Sequence, residues 1–157
     1  MRVLNKGFLS LINKNWIKDF TSIELENVIC GETEISIIDW ESSTHYKGYY
    51  NADHEVIRWF WDVMGSYNQK ELVRFLQFCT GTPRLPIGGF KALEGNRGSK
   101  SPFTIEEIAY SSSSPYPRAH TCFNRLQLPH YKSYKETKKY LDFIVLNENI
   151  YGFGLED

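Results

Sequence analysis

The chain has few cysteines and no long run of any one kind of residue. Its three cysteines, Cys30, Cys79 and Cys122, stand far apart with no CxxC pair. That spacing excludes a disulfide framework and a cysteine-rich zinc site, so any cysteine with a special task works as a thiol. Apolar stretches end after a few residues, and no membrane span is expected. The opening MRVLNKGFLSLINKNW lacks the uninterrupted apolar segment and small-residue cleavage site of a secretory signal, so the expected compartment is the cytosol or the nucleus. Neither charge gathers into a block: 18 Lys and Arg face 19 Asp and Glu. Without a basic footprint for phosphate backbones, nucleic acid is not an expected partner. No cofactor and no metal is expected either.

What the chain does have is core material. Hydrophobic residues make up 41%, and aromatics 15%, with 4 Trp, 10 Tyr and 10 Phe. Wholesale disorder is excluded by that content. A length of 157 residues suits one ordinary domain, or a small domain plus a piece of another.

Val3, Leu4, Phe8, Leu9, Leu11, Ile12, Trp16 and Phe20 form a helical stripe, and Thr21 and Ser22 before Glu24 to Cys30 read as a second short helix closed by Gly31. The polar break GETEI places a boundary at Gly31 to Glu34, and IIDWESSTHYKGYYNADH after it reads as an irregular, aromatic-rich approach. Asp53 opens a helix with Val56, Trp59, Phe60 and Val63 at helical spacing, ending at Gly65. Another runs from about Asn68, with Leu72, Phe75, Leu76 and Cys79 on one face and Gly81 as terminator, which makes Cys79 a core residue. Tyr49 and Trp59 are read as core. TGTPRLPIGGFKALEGNRGSKSP should be turns and short extended pieces, anchored by Ile87 and Phe90.

A strand is expected from Phe103 to about Ile108, a surface loop over Ser111 to His120, and a short strand through Leu126 and Leu128. Ser133 and Glu136 then form a capping box that opens a helix burying Thr137, Tyr140, Leu141, Ile144 and Val145. Lys132, Lys135, Lys138 and Lys139 read as its solvated face.

The chemically informative window is PRAHTCFNRLQLP, where a loop meets a strand. Side chains alternate in an extended segment, so an unbroken strand would bury Cys122 on the face of Leu126 and Leu128. The polar residues before it argue instead for a break near Cys122. That break leaves the thiol at the strand mouth near Arg118, His120 and Arg125, and positive charge with partial exposure favours a thiolate. On local grounds alone a cysteine is more often an inert small hydrophobe, which is how Cys30 and Cys79 are read. His120 is as readily a loop-orienting hydrogen-bond partner as a proton carrier.

Five blocks go further than periodicity. ELENVICG, VIRWFWDV, RFLQFCTGTPRLPIGGFKAL, PRAHTCFNRLQLPHYKSYKE and the terminal GFGLE resemble, in order and rough spacing, the C-terminal part of a HECT-type E3 ubiquitin ligase. The resemblance implies an α/β (α+β) fold, a small sheet packed with helices and preceded by two more, in which residues 1–30 are the last helices of the HECT N-lobe, 31–34 the interlobe hinge and 35–157 the C-lobe. It implies that Cys122 takes ubiquitin as a glycyl thioester from a ubiquitin-conjugating enzyme and gives it to a lysine of a protein substrate. Thr121 and His120 would shape the loop, and Phe153 would help set the lobes for transfer to lysine.

A HECT domain is about twice this length, and the part of its N-lobe that docks the conjugating enzyme has no counterpart here. The rival expectation is therefore a non-catalytic fragment that binds ubiquitin or a ligase. A cysteine hydrolase is a third, since His45, His54 and His130 are available as bases, although no protease-like motif surrounds Cys122.

Overall fold

The computed structural model describes residues 34–147. The helices expected within Met1 to Cys30, Cys30 itself, residues 31–33 of the expected hinge and Phe153 lie outside the described residues.

Local chemistry accounts for the three long helices. The helix α2, Glu55–Gly65, buries Val56, Ile57, Phe60, Trp61, Val63 and Met64. Its N-cap is His54 rather than the expected Asp53: the imidazole Nδ1 accepts from the Val56 amide at 3.2 Å. The helix α3, Gln69–Thr80, opens with a reciprocal capping box. Asn68 Oδ1 accepts from Glu71 N at 3.0 Å, and Glu71 Oε2 accepts from Asn68 N at 2.9 Å. It closes at Gly81, whose φ of 79° is the left-handed conformation that glycine adopts without a Cβ penalty. The last helix, Tyr134–Leu146, is capped by Ser133, whose Oγ accepts from Glu136 N. The Glu136 carboxylate reaches back to the Lys132 amide at 2.9 Å, one residue earlier than a strict box.

Two elements lie in the segment expected to be irregular. A short helix, α1 (Ile37–Ser42), is capped by Ser36, and a short strand, β1 (His45–Lys47), follows it. Their brevity hides them from periodicity, and tertiary contacts specify them. Trp40 is fully buried, its ring stacked on Phe90 with centroids 4.5 Å apart and edge-on to Trp61 and Phe103. Such aromatic pairs contribute about 0.5–1.5 kcal/mol beyond area burial. The Asp39 carboxylate joins the same region to Phe90 by accepting its amide.

Two expected core residues are not core. Tyr49 is 85% exposed and Ile87 79% exposed, because each sits in a turn whose neighbours, Tyr50 and Leu85 with Phe90, carry the anchoring. Trp59 is half-buried against the core.

The sheet has four strands in the order β1-β2-β4-β3, with β2 Thr104–Ile108, β3 Arg118–His120 and β4 Arg125–Pro129. β1 and β4 run parallel to β2, while β3 pairs antiparallel with β4. β3 corrects the expectation of continuous loop from Ser111 to His120. Register places Tyr46, Ile105, Leu126 and Ala119 in one transverse row. Ile105, Leu126 and Ala119 are buried on the face covered by helices. Adjacent rows, His45–Thr104–Arg125–His120 and Lys47–Glu106–Gln127–Arg118, lie on the opposite, polar face. α2 and α3 both pack on the last helix, which we label α4, and α3 also contacts β3, β4 and the turn between them. The fold is an α/β (α+β) domain with one helix-covered sheet face.

Candidate active site

The β3–β4 connection runs through Thr121, Cys122, Phe123 and Asn124, with a 3₁₀ turn at Thr121–Phe123. His120 pairs with Arg125 to close it. Paired residues of an antiparallel ladder point to the same side, so the turn reverses the parity that an unbroken strand would have kept. Arg118 and His120 face the polar side, whereas Leu126 and Leu128 are fully buried. Cys122 is thereby lifted off both faces and exposed. The break expected from the conflict between polar residues and buried parity is the observed one.

Asn124 holds the turn in shape. It sits in the left-handed region with φ 48° and ψ 43°, a conformation that asparagine tolerates better than most residues. It is only 2% exposed. Its Nδ2 donates to the carbonyls of Glu94 at 2.9 Å and Ser101 at 2.8 Å. Its own N–H donates to Thr121 O, and its carbonyl accepts from Thr104 N. Ser101 Oγ donates to Phe123 O at 2.9 Å. From below, Gly81 at the end of α3 lies against the Thr121 side chain.

Sequence reasoning missed the bracing parts of Asn124 and Ser101. The available signal was an asparagine just before a strand, which suits a left-handed residue; nothing local indicates its partners, more than twenty residues away along the chain.

The cationic side chains near the thiol are engaged elsewhere. Arg118 donates to Ser114 Oγ at 3.1 Å. Arg125 lies 3.6 Å from the Glu106 carboxylate and 5.6 Å above the exposed Phe123 ring. His120 is half-buried, and among the described residues no acid or amide orients its ring. The histidines offered as alternative bases stand apart. His54 caps α2 and His45 is on the outer strand. His130 pairs through Nδ1 with Glu107 at 3.0 Å, but beyond the far end of β4, about 16 Å along a five-residue strand. Among the described residues, the base and orienting acid that a cysteine hydrolase needs are not assembled at Cys122.

The other described thiol behaves oppositely. Cys79 is fully buried on α3, and burial pushes its thiol well up from the ordinary range, which leaves it inert. No group of three or more metal-ligating side chains occurs among the described residues. No described helix is long and apolar enough to cross a membrane.

Among the described residues, then, the site is an exposed thiol on a strand-mouth turn braced through Asn124 and Ser101. The HECT-domain (ubiquitin-transferase) family model matches residues 1–156. The chain belongs to the HECT family, whose members are ubiquitin ligases. It is 42% identical over 153 residues to the E3 ubiquitin-protein ligase NEDD4 of Homo sapiens, covering 98% of this chain and 11% of that protein. Over 132 residues it is 46% identical to E3 ubiquitin-protein ligase Nedd-4 of Drosophila melanogaster, covering 84% of this chain and 13% of the relative. It is 42% identical to E3 ubiquitin-protein ligase HECW1 of Homo sapiens over 98% of the chain and 9% of that protein. The chain thus spans about a tenth of the length of these relatives.

Proposed function

We propose that this chain is the ubiquitin-carrying lobe of a HECT ligase, with Cys122 as the acceptor. The observation that supports this most is the pairing of an exposed Cys122 with a fully buried Cys79 in a chain of this family. In this reading residues 35–157 form the C-lobe, residues 1–30 end the N-lobe, and 31–34 are the hinge between them.

The chemistry requires a nucleophile that is also a leaving group. The Cys122 thiolate attacks the carbonyl carbon of the ubiquitin thioester carried by the conjugating enzyme, and the tetrahedral intermediate expels that enzyme's thiolate. A substrate lysine, as the free amine, then attacks the new thioester. The C–S bond to Cys122 breaks, an amide forms, and the amine gives up a proton. A thiol suits both steps because thioester exchange is near balance and the thioester stays open to aminolysis. The first amides of a helical turn lack an acceptor within the turn, which makes those at Thr121 and Cys122 candidates to stabilise the oxyanion. Thr121, packed on Gly81, and His120 shape the turn, and Phe153 helps position the lobes.

The test is a non-reducing gel of the chain mixed with ubiquitin-loaded conjugating enzyme, for wild type and Cys122→Ser. A thiol-sensitive adduct on wild type alone supports the reading. If adduct is absent, the assay is repeated with an N-lobe supplied. Absence there too favours the rival, a fragment that only binds ubiquitin or a ligase.

A further inference from the structure

The loop that lies across the cysteine turn does more than fill space. Residues 94–101 fold back on themselves, with Gly95 N donating to Ser99 O, Ser101 N to Leu93 O, and Glu94 bridged to Lys100. This hairpin meets the turn at three kinds of contact. The Asn124 amide takes the Glu94 and Ser101 carbonyls, Ser101 Oγ takes the Phe123 carbonyl, and Gly95 lies against the carbonyl of Cys122 itself. A Cβ built on Gly95 would stand 2.9 Å from Cys122 O and 2.8 Å from Ser101 Cβ, closer than real Cβ atoms approach. Yet Gly95 has φ −91° and ψ −167°, an extended backbone open to any residue. Its glycine is required by the neighbour, not by its own dihedrals.

We infer that Gly95, Asn124 and Ser101 are positioning residues: they fix the Cys122 peptide so that the thiol meets the ubiquitin thioester carbonyl carbon from above its plane, at the angle that nucleophilic addition needs. This rests on Cys122 being the acceptor. Gly95 and Ser101 meet carbonyls of the turn, and the Asn124 amide ties the turn to the hairpin, so their contribution is to the geometry of attack rather than to the thiol's accessibility. Small misplacements of a nucleophile cost rate steeply, up to about a hundredfold for 1 Å.

Gly95→Ala deletes no side-chain hydrogen-bonding group and its backbone conformation suits alanine, so it acts by crowding the Cys122 carbonyl and Ser101. Asn124→Gly removes the amide while keeping a residue at home in the left-handed region. Ser101→Ala removes only the bond to Phe123. The donor is ubiquitin activated as a small-thiol thioester at its C-terminus, which bypasses docking of a conjugating enzyme. For each folded variant two rates are measured on the full chain: ubiquitin transfer against donor concentration, and alkylation of Cys122 by iodoacetamide. Gly95→Ala and Asn124→Gly are expected to lower the saturating transfer rate on the order of ten- to a hundredfold, with the half-saturating donor concentration and the alkylation rate within about twofold of wild type. Ser101→Ala is expected to lower it a few-fold and keeps the test decisive where the other two fold poorly. Transfer at the wild-type rate in the folded variants overturns the inference. So does a loss of transfer matched by an equal loss of alkylation or only by unfolding, which marks a structural role. Wild type that takes no ubiquitin from this donor removes the underlying reading of Cys122 instead.

Discussion

Cys79 lies on the helix that packs beneath the turn bearing Cys122, so two thiols of one small domain occupy opposite environments. One is fully buried with its ionisation suppressed, the other exposed on a braced turn. Native-state alkylation followed by peptide mapping is expected to modify Cys122 at least about a hundredfold faster than Cys79. Comparable rates would mean that the lobe opens far more readily than its packing implies.

Among the phenols whose ionisation is suppressed, three are core side chains. Burial holds Tyr50, Tyr67 and Tyr131 protonated well above the ordinary tyrosine range, reinforced at Tyr67 by its hydrogen bond to Asp142. Above about pH 10 the unfolded chain releases those protons while the native state keeps them, so the unfolded state binds fewer protons and stability falls as pH rises. The slope contributed is up to about 1.4 kcal/mol per pH unit for each group. Urea midpoints between pH 9 and 11 should fall, and Tyr67→Phe should flatten the slope; a pH-independent midpoint would contradict the assignment.

The N-cap of α4 is a local prediction. Ser133→Ala removes the acceptor for the Glu136 amide and is expected to cost about 1 kcal/mol in denaturant unfolding. Asn68→Ala at α3 breaks a reciprocal box and should cost at least as much, while neither change should alter alkylation of Cys122.

Trp40 joins elements distant in sequence through its contacts with Phe90, Phe75, Phe103 and Trp61. Trp40→Ala is expected to cost about 3–5 kcal/mol, whereas Tyr49→Ala at an 85% exposed ring should stay within about 0.5 kcal/mol. Equal effects in thermal unfolding would contradict the burial pattern.

These contrasts show where sequence sufficed. Asn68, Gly81 and Ser133 are local signals whose meaning does not depend on the rest of the chain, and each marks an observed helix end. The buried stripe Thr137, Tyr140, Leu141, Ile144 and Val145 also emerged as read, since period and burial coincide on a helix of that length. α1, β1 and β3 did not, because elements of 6, 3 and 3 residues carry too few repeats to show a period. Tyr49, read as core, and Ile87, read as an anchor, are both exposed, because in turns hydrophobicity says little about which neighbour points inward. At the site, the break at Cys122 was legible from a conflict of parity. The hairpin that braces it was not, because Gly95 and Ser101 act through contacts that only the folded chain creates.

The most direct test of the central claim is intact-mass spectrometry of the full chain after exposure to ubiquitin small-thiol thioester, for wild type, Cys122→Ala and Cys79→Ala. The account predicts one added ubiquitin on wild type and on Cys79→Ala, lost on treatment with excess thiol, and none on Cys122→Ala. A thiol-sensitive adduct that persists on Cys122→Ala would contradict it.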